Sequence, residues 1–113
     1  MPGLFSRNQA AYRRINIRQF DAMLTSGRPP FVVDVREPFE LTAYGRIPGV
    51  VNIPLGTLPK SGGTLPKDKS TPIIVVCQSG NRSLRGAEAI ARLGYTDVAS
   101  LDGGTIGWLR AHR

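Results

Sequence analysis

The chain has 113 residues, 41% of them hydrophobic, which fits one globular domain with a real core and excludes two domains. Its single cysteine excludes an intrachain disulfide and any multi-cysteine metal site, and we expect a reducing compartment, the cytoplasm. Fifteen basic against eight acidic residues give a net charge of +7, but the arginines are scattered, so we expect small anionic substrates or an acidic protein as partners rather than nucleic acid.

The N-terminal segment is basic. Its four arginines face no acidic residue before Asp21: Arg7, Arg13, Arg14 and Arg18. We predict a basic tail over residues 1–13 rather than a transit-like peptide, because little sequence precedes the first predicted strand. A single domain then occupies residues 14–113. No apolar stretch approaches the ~20 residues of a membrane-spanning helix, so we expect no membrane partner.

Short β-branched runs alternate with amphipathic helical runs, a pattern typical of an α/β domain with a parallel sheet. The predicted strands are residues 14–17, 31–34, 51–53, 73–77 and 98–101. We therefore predict about five parallel strands. The connection over residues 56–71 is polar and carries three lysines, and we predict a surface loop there.

Helix signals fill the gaps between these strands. Asn16, with Gln19 three residues later, predicts a capped first helix that buries Phe20, Met23 and Leu24 and stops at Gly27. A second short helix over residues 38–44 starts with proline. The longest helix is predicted over residues 82–93 from its 3.6-residue apolar stripe. In the last segment, Trp108 is predicted to anchor a helix in the core and Asp102 to form a turn or cap.

Cys77 is the candidate nucleophile. It closes the apolar run Ile73–Val76 just before a polar loop and the longest helix, so a buried strand delivers the thiol to a helix N-terminus. The N–H groups and dipole there favour thiolate and lower the pKa from its free value of ~8.5. A lone cysteine can also be a small buried core residue. The glycine-containing polar loop with its arginine favours catalysis, and no proline removes an N–H from residues 78–83.

The spacing between Cys77 and Arg82 bears on the reaction. Four residues intervene, and a cysteine with an arginine in such a loop suits either phosphoryl transfer or sulfur transfer. A cysteine phosphatase needs one residue more, because its loop wraps the oxygens of a tetrahedral phosphate, and Ser83 stands where its arginine would be. The shorter loop favours the terminal sulfur of a persulfide, Cys–S–S⁻.

Four motifs in order carry a family resemblance. They are Asp34-Val35-Arg36-Glu37, the segment 45–54 from Gly45 to Pro54, the segment 77–83 from Cys77 to Ser83, and Leu101-Asp102-Gly103-Gly104 before Gly107-Trp108. Together they resemble a single-domain rhodanese, a sulfurtransferase module, over residues 15–110. The resemblance implies a rhodanese-like α/β fold, a five-stranded parallel sheet with helices on both faces. It implies no metal and no organic cofactor.

The activity that the resemblance implies is sulfur transfer through Cys77. The donor would be thiosulfate or a low-molecular-weight persulfide, and the acceptor a thiol or a protein. The candidate substrate-binding residues are Arg82, Gln78, Ser79, Gly80, Asn81 and Ser83. Arg82 either binds the donor's sulfonate oxygens, which we favour, or pairs with a carboxylate to close the loop. Asp34 and Arg36 are possible supporting residues, and a structural clamp is the favoured reading.

One residue departs from the family pattern. Arg46 stands where the family usually has histidine, and arginine cannot shuttle protons near neutral pH. The sole histidine, His112, is predicted to be a solvated bystander, so no histidine base enters the mechanism.

Two other function classes stay open. One is a non-catalytic sulfur carrier or binding module, which would receive sulfur on Cys77 and pass it on. The other, weaker, is a phosphatase or arsenate reductase on the same scaffold. The intact Cys77 and Arg82 favour turnover, and the loop length argues against phosphate.

Overall fold

A five-stranded parallel sheet organises residues 11–60 and 63–113, the part of the chain that the computed structural model describes. Its strands are β1 (Arg13–Ile15), β2 (Phe31–Asp34), β3 (Val51–Asn52), β4 (Ile73–Val76) and β5 (Val98–Leu101). Four α-helices alternate with them: α1 (Ile17–Leu24), α2 (Pro38–Tyr44), α3 (Arg82–Arg92) and α4 (Gly104–Ala111). The strand order is β1-β5-β4-β2-β3, and every pair is parallel. The predicted α/β class and five parallel strands are confirmed.

Helices cover both faces of the sheet, as predicted. On one face α3 and a 3₁₀ helix, Leu55–Lys60, place Ala87, Ile90 and Leu58 in one buried cluster. On the other, α1 contributes the fully buried Phe20 and α4 the partly buried Trp108. Within the described residues no helix has the length and apolarity needed to cross a membrane.

The central strand β4 has a continuous apolar sequence because it is buried on both faces of the sheet. Ile73, Val75 and Cys77 belong to the cluster under α3, while Ile74 and Val76 belong to the cluster on the opposite face. Because both faces are covered, every residue of β4 is apolar and buried. This burial fixes the position of β4 and therefore of Cys77, which follows its carboxyl end.

The start of the domain differs slightly from the prediction. β1 begins at Arg13, one residue early, and ends at Ile15, because Asn16 is the cap of α1. The Gln19 N–H donates to Asn16 Oδ1 at 2.8 Å, and the Asn16 N–H donates to Gln19 Oε1 at 2.8 Å. Ile17 is therefore the first residue of α1 rather than the end of a strand. Most of the predicted basic tail, residues 1–10, lies outside the described residues.

The prediction of a surface loop over residues 56–71 was wrong in part. Leu58 is fully buried in the 3₁₀ helix, and Leu65 is 3% exposed in the same core cluster. The polar residues around them hid the two leucines that complete the core under α3. Residues 61 and 62 of this connection lie outside the described residues.

Helix α3 packs against the sheet at Gly86. A Cβ atom added there would lie 2.9 Å from Val75 Cγ1 and 3.0 Å from Val35 Cγ1, two side chains that are themselves buried. The helix that carries the candidate loop is thus seated on the sheet through a residue without a side chain.

Replacing Gly86 with alanine should destabilise the protein. Overpacking of this kind costs about 1–3 kcal/mol, which exceeds the ~1 kcal/mol that alanine gains over glycine inside a helix. Urea denaturation measures the free energy of unfolding. Gly27→Ala is the matched control, because Gly27 has no neighbour within 4 Å. An equal effect of both variants would contradict the close packing of α3.

Candidate active site

Cys77 lies at the point where the chain reverses its direction across the sheet. From β2 the chain continues to β3 on one side, and from β4 it continues to β5 on the other. The carboxyl ends of β2 and β4 therefore border a crevice of the kind in which open α/β sheets bind ligands. Asp34 ends β2, Cys77 follows β4, and the Val35 N–H donates to Val76 O at 3.0 Å between them. The two predicted site segments thus meet.

The loop after Cys77 directs N–H groups at the sulfur. The Gly80 N–H donates to Cys77 Sγ at 3.1 Å. Burial raises the pKa of the Cys77 thiol, but hydrogen bonds from the Ser83 hydroxyl and from the N–H groups of Ser83, Gly80 and Ser79 outweigh it, so the pKa is lowered. Thiolate is therefore favoured at a residue that is only 1% exposed.

The remaining loop residues differ in their exposure. Ser79 and Asn81 are exposed, Gln78 is partly buried, and Ser83 is fully buried with its Oγ 2.8 Å from Ser100 Oγ. Gly80 has a φ of +114°, a conformation that L side chains rarely adopt. The loop therefore offers its backbone, more than its side chains, to the sulfur.

The first turn of α4 holds the opposite side of the loop. The Thr105 N–H donates to Cys77 O at 2.8 Å, and the Ile106 N–H donates to Gln78 O at 3.1 Å. Because a peptide unit is planar, holding its C=O on one side turns its N–H to the other. Gly104 permits this contact, since a Cβ atom there would lie 2.6 Å from Gln78 O. This support was not predicted, although the Gly103-Gly104 pair is a local signal for such a close approach.

Asp102 lies in the turn before α4, one of the two roles predicted for it, and does not cap the helix. The cap position is Gly103, and Asp102 instead accepts from Arg14 Nε at 2.8 Å in a surface ion pair. Its partner Arg14 lies in β1, which pairs with β5 in the sheet.

Asp34 and Arg36 form a buried brace. Both side chains are fully buried, and Arg36 Nη2 lies 2.8 Å from Asp34 Oδ2. Arg36 Nη1 also donates to Gln78 Oε1 at 2.7 Å, and Nη2 donates to Gly45 O at 2.9 Å. One guanidinium therefore joins the end of β2, the loop after Cys77 and the end of α2. These contacts are those of the structural clamp that the sequence analysis favoured.

Arg82 is paired with a carboxylate that the sequence analysis did not identify. Its Nη1 and Nη2 donate to Glu40 Oε1 and Oε2 at 2.7 and 2.8 Å. The Arg82 hydrogen bonds lower the pKa of Glu40 to about 2, against the opposing effect of burial. Of the two readings of Arg82, the structure contains the ion pair. No local pattern links positions so far apart in the chain.

His112 and Arg46 do not contribute to this site. His112 is exposed and lies outside the site, as predicted, but it has structural contacts: it stacks on Trp108 with ring centroids 3.9 Å apart, and its Nε2 lies 3.0 Å from Asp21 Oδ2. Trp108 Nε1 donates to the same carboxylate at 2.9 Å, so α4 is fastened to α1. Arg46 is exposed in the turn after α2. Among the described residues, no group of three or more His, Cys, Asp or Glu could hold a metal.

Known proteins are similar to this chain in sequence and in fold. A family profile described as "Rhodanese-like domain" matches residues 16–111. A sulfurtransferase of Allochromatium vinosum is 35% identical over 79 residues, which cover 70% of this chain and 71% of that protein. The thiosulfate sulfurtransferase GlpE of Tolumonas auensis is 34% identical over 99 residues, covering 86% and 88%. The structure of the human single-domain sulfurtransferase TSTD1 aligns with a TM-score of 0.76 at 28% identity, covering 86% and 95%.

Removing the Ser83 hydroxyl should raise the pKa of Cys77, because that hydroxyl stabilises the thiolate. The pH dependence of alkylation by iodoacetamide measures this pKa, because the rate rises with pH as the thiol ionises. In the parent, the midpoint for Cys77 should lie below that of an ordinary cysteine. Ser83→Ala should move the midpoint to higher pH. Ser79→Ala keeps its backbone N–H and should leave the midpoint in place. A shared shift would mean that loop distortion, not the hydroxyl, is responsible.

Gly104→Ala should disrupt the loop as well as strain the backbone. Gly49→Ala is the matched control, since Gly49 also has a positive φ, +85°, but no neighbour within 4 Å. The conformation alone costs alanine about 1–2 kcal/mol, so urea denaturation should show that loss for Gly49→Ala and a larger one for Gly104→Ala. Only Gly104→Ala should raise the alkylation midpoint of Cys77. Identical behaviour would show that α4 does not position the loop.

Proposed function

This chain belongs to the rhodanese-like domain family, and we propose that it is an enzyme that transfers a sulfane sulfur through a persulfide on Cys77. One observation carries the proposal: the Gly80 N–H donates to Cys77 Sγ at 3.1 Å inside the short loop that opens α3. N–H groups gathered around one sulfur stabilise negative charge on it. Such a cradle serves the thiolate before the reaction and the persulfide after it.

The proposed reaction has two steps. In the first, the Cys77 thiolate attacks the outer sulfur of thiosulfate, the S–S bond of the donor breaks, and sulfite leaves with its electron pair. The products are Cys77–S–S⁻ and SO₃²⁻, and the total charge is unchanged. In the second, a nucleophilic acceptor attacks the outer sulfur and releases the Cys77 thiolate. With cyanide as acceptor the product is thiocyanate, and no proton moves in either step.

The size of the loop supports sulfur rather than phosphate as the guest. Four residues separate Cys77 from Arg82, and Ser83, where a phosphatase would place its arginine, is fully buried with its Oγ 3.1 Å from Gly80 O. A tetrahedral phosphate needs donors around three oxygens and a guanidinium across two of them. In this protein both terminal nitrogens of Arg82 are already bound by Glu40. We therefore place phosphatase or arsenate reductase activity below sulfur transfer.

The partners of the proposed reaction are a small sulfur donor and a nucleophilic acceptor. Thiosulfate is the donor named for the Tolumonas auensis relative, and we propose it, or a low-molecular-weight persulfide, for this chain. A thiol or a protein thiolate is the proposed physiological acceptor. A non-catalytic carrier would form the same persulfide on Cys77 but would not turn over, which separates the two functions experimentally.

Cys77→Ser should abolish sulfur transfer while leaving the fold intact, because a hydroxyl ionises far less readily than this thiol. Intact mass after incubation with thiosulfate should increase by one sulfur atom in the parent and not in the variant. Thiosulfate-to-cyanide transfer should fall to the uncatalysed background, with the melting temperature nearly unchanged.

Three outcomes separate the candidate functions. Mass gain with catalytic turnover supports the enzyme, and mass gain without turnover supports the carrier. Hydrolysis of aryl phosphates by the parent, lost in Cys77→Ser, would overturn the sulfur assignment. If Cys77→Ser kept the activity of the parent, Cys77 would have no role in the mechanism.

A further inference from the structure

We propose that Glu40 determines which donors reach Cys77: by occupying Arg82, it disfavours dianions such as thiosulfate relative to thiol persulfides. Arg82 is the first residue of α3, and Glu40 lies in the first turn of α2. The donor preference rests on the proposed function, whereas the electrostatic role of Glu40 at Cys77 does not.

The pair between Glu40 and Arg82 has the geometry of a saturated site. Each carboxylate oxygen of Glu40 accepts from one terminal nitrogen of Arg82, Oε1 from Nη1 at 2.7 Å and Oε2 from Nη2 at 2.8 Å. This is the bidentate fork that an incoming sulfonate would itself need. The Glu37 N–H also donates to Glu40 Oε1 at 3.0 Å, which fixes the carboxylate within α2. A sulfonate that binds across Nη1 and Nη2 of Arg82 must therefore displace a carboxylate that is already held in place.

The charges beside the sulfur are balanced in pairs. Arg82 is close enough to Cys77 that a thiolate there contributes to the raised pKa of Arg82, after the larger contribution of Glu40. The other arginine that contacts the loop, Arg36, is neutralised by Asp34, and both of these side chains are fully buried. The thiolate is therefore stabilised mainly by neutral donors, the Ser83 hydroxyl and the N–H groups of Ser83, Gly80 and Ser79. Such groups suit the single charge of a thiolate or persulfide.

Donor chemistry follows from this balance. Thiosulfate brings two negative charges, and its sulfonate leaves as a dianion. A thiol persulfide, R–S–SH, brings its sulfane sulfur without a sulfonate. Attack of the Cys77 thiolate on that outer sulfur breaks the donor S–S bond, releases RS⁻ and leaves Cys77–S–SH, so atoms and charge balance. With Glu40 in place, the site meets the needs of the second donor better than those of the first.

Alkylation of Cys77 tests the electrostatic role without any sulfur transfer. Iodoacetate is anionic and iodoacetamide is a neutral molecule of similar size, so the ratio of their rates reports the local preference for anions. Glu40→Gln should raise the iodoacetate-to-iodoacetamide ratio roughly two- to fivefold, the range expected for one charge at a partly exposed pair. The increase should shrink at high ionic strength.

Glu88→Gln is the matched control. It makes the same change in net charge on α3, where Glu88 pairs with Arg92 on the exposed surface. If the effect of Glu40 is local, the iodoacetate-to-iodoacetamide ratio of Glu88→Gln stays at the parent value. An equal rise of this ratio in both variants would show a general effect of net charge and overturn the proposal.

Donor kinetics test the specificity itself. Glu40→Gln should lower the thiosulfate KM and raise kcat/KM for thiosulfate relative to kcat/KM for glutathione persulfide. A merely structural role would reduce activity with both donors together and would leave the ratio unchanged, which would contradict the proposal.

The outcomes of the two assays are separable. A raised alkylation ratio in a protein that never gains sulfur would support the role of Glu40 and refute the proposed function. Sulfur transfer with unchanged ratios in Glu40→Gln would do the reverse. If this variant fails to fold, the parent still decides: its alkylation ratio should depend weakly on salt, and a steep decline would reveal an uncompensated cation and overturn the proposal.

Discussion

The site depends on two hydrogen bonds behind the loop, from the Thr105 and Ile106 N–H groups to the carbonyls of Cys77 and Gln78. They fix which side of each peptide faces the sulfur, and the Gly80 N–H then completes the cradle at 3.1 Å. The cradle is built from backbone N–H groups together with the Ser83 hydroxyl. It requires only that α4 begin where a side chain at Gly104 would not fit.

Buried charge strengthens this backbone scaffold instead of competing with it. Arg36 is fully buried and is satisfied by Asp34, Gln78 and Gly45. Removing one member of such a pair leaves an uncompensated charge, which costs several kcal/mol. The brace therefore makes the relative placement of β2, α2 and the loop rigid. Arg82 and Glu40 form a second ion pair at the rim of the site, where the side chain of Arg82 is 39% exposed and that of Glu40 is 10% exposed.

The sequence was sufficient wherever a signal was local. The bounds of β2, α2 and β5 follow from apolar runs and from a proline in the first turn, and the Asn16 cap from its partner three residues later. The loop around Cys77 was also predictable, since strand, loop and helix are contiguous. The pKa of the Cys77 thiol is lowered, which is the predicted direction, but the Ser83 hydroxyl contributes to this shift together with the backbone N–H groups.

What the sequence did not reveal are contacts between distant segments. Glu40 carries no mark of its pairing with Arg82, and Leu58 is hidden in a polar stretch although it completes the core. The contact of His112 with Asp21 was not predictable for the same reason, because Asp21 lies in α1. Propensity and capping describe neighbours along the chain, whereas these contacts exist only after the sheet has assembled.

The contact between α4 and the loop also links chemical reactivity to folding. Cys77 precedes β5 in the sequence and Thr105 follows it. The carbonyls of Cys77 and Gln78 can therefore accept their hydrogen bonds from α4 only after β5 and α4 have docked. Until then the thiol lacks its ordered N–H donors and has the reactivity of an ordinary cysteine. The low pKa of the Cys77 thiol is therefore acquired in the same cooperative event that completes the native state.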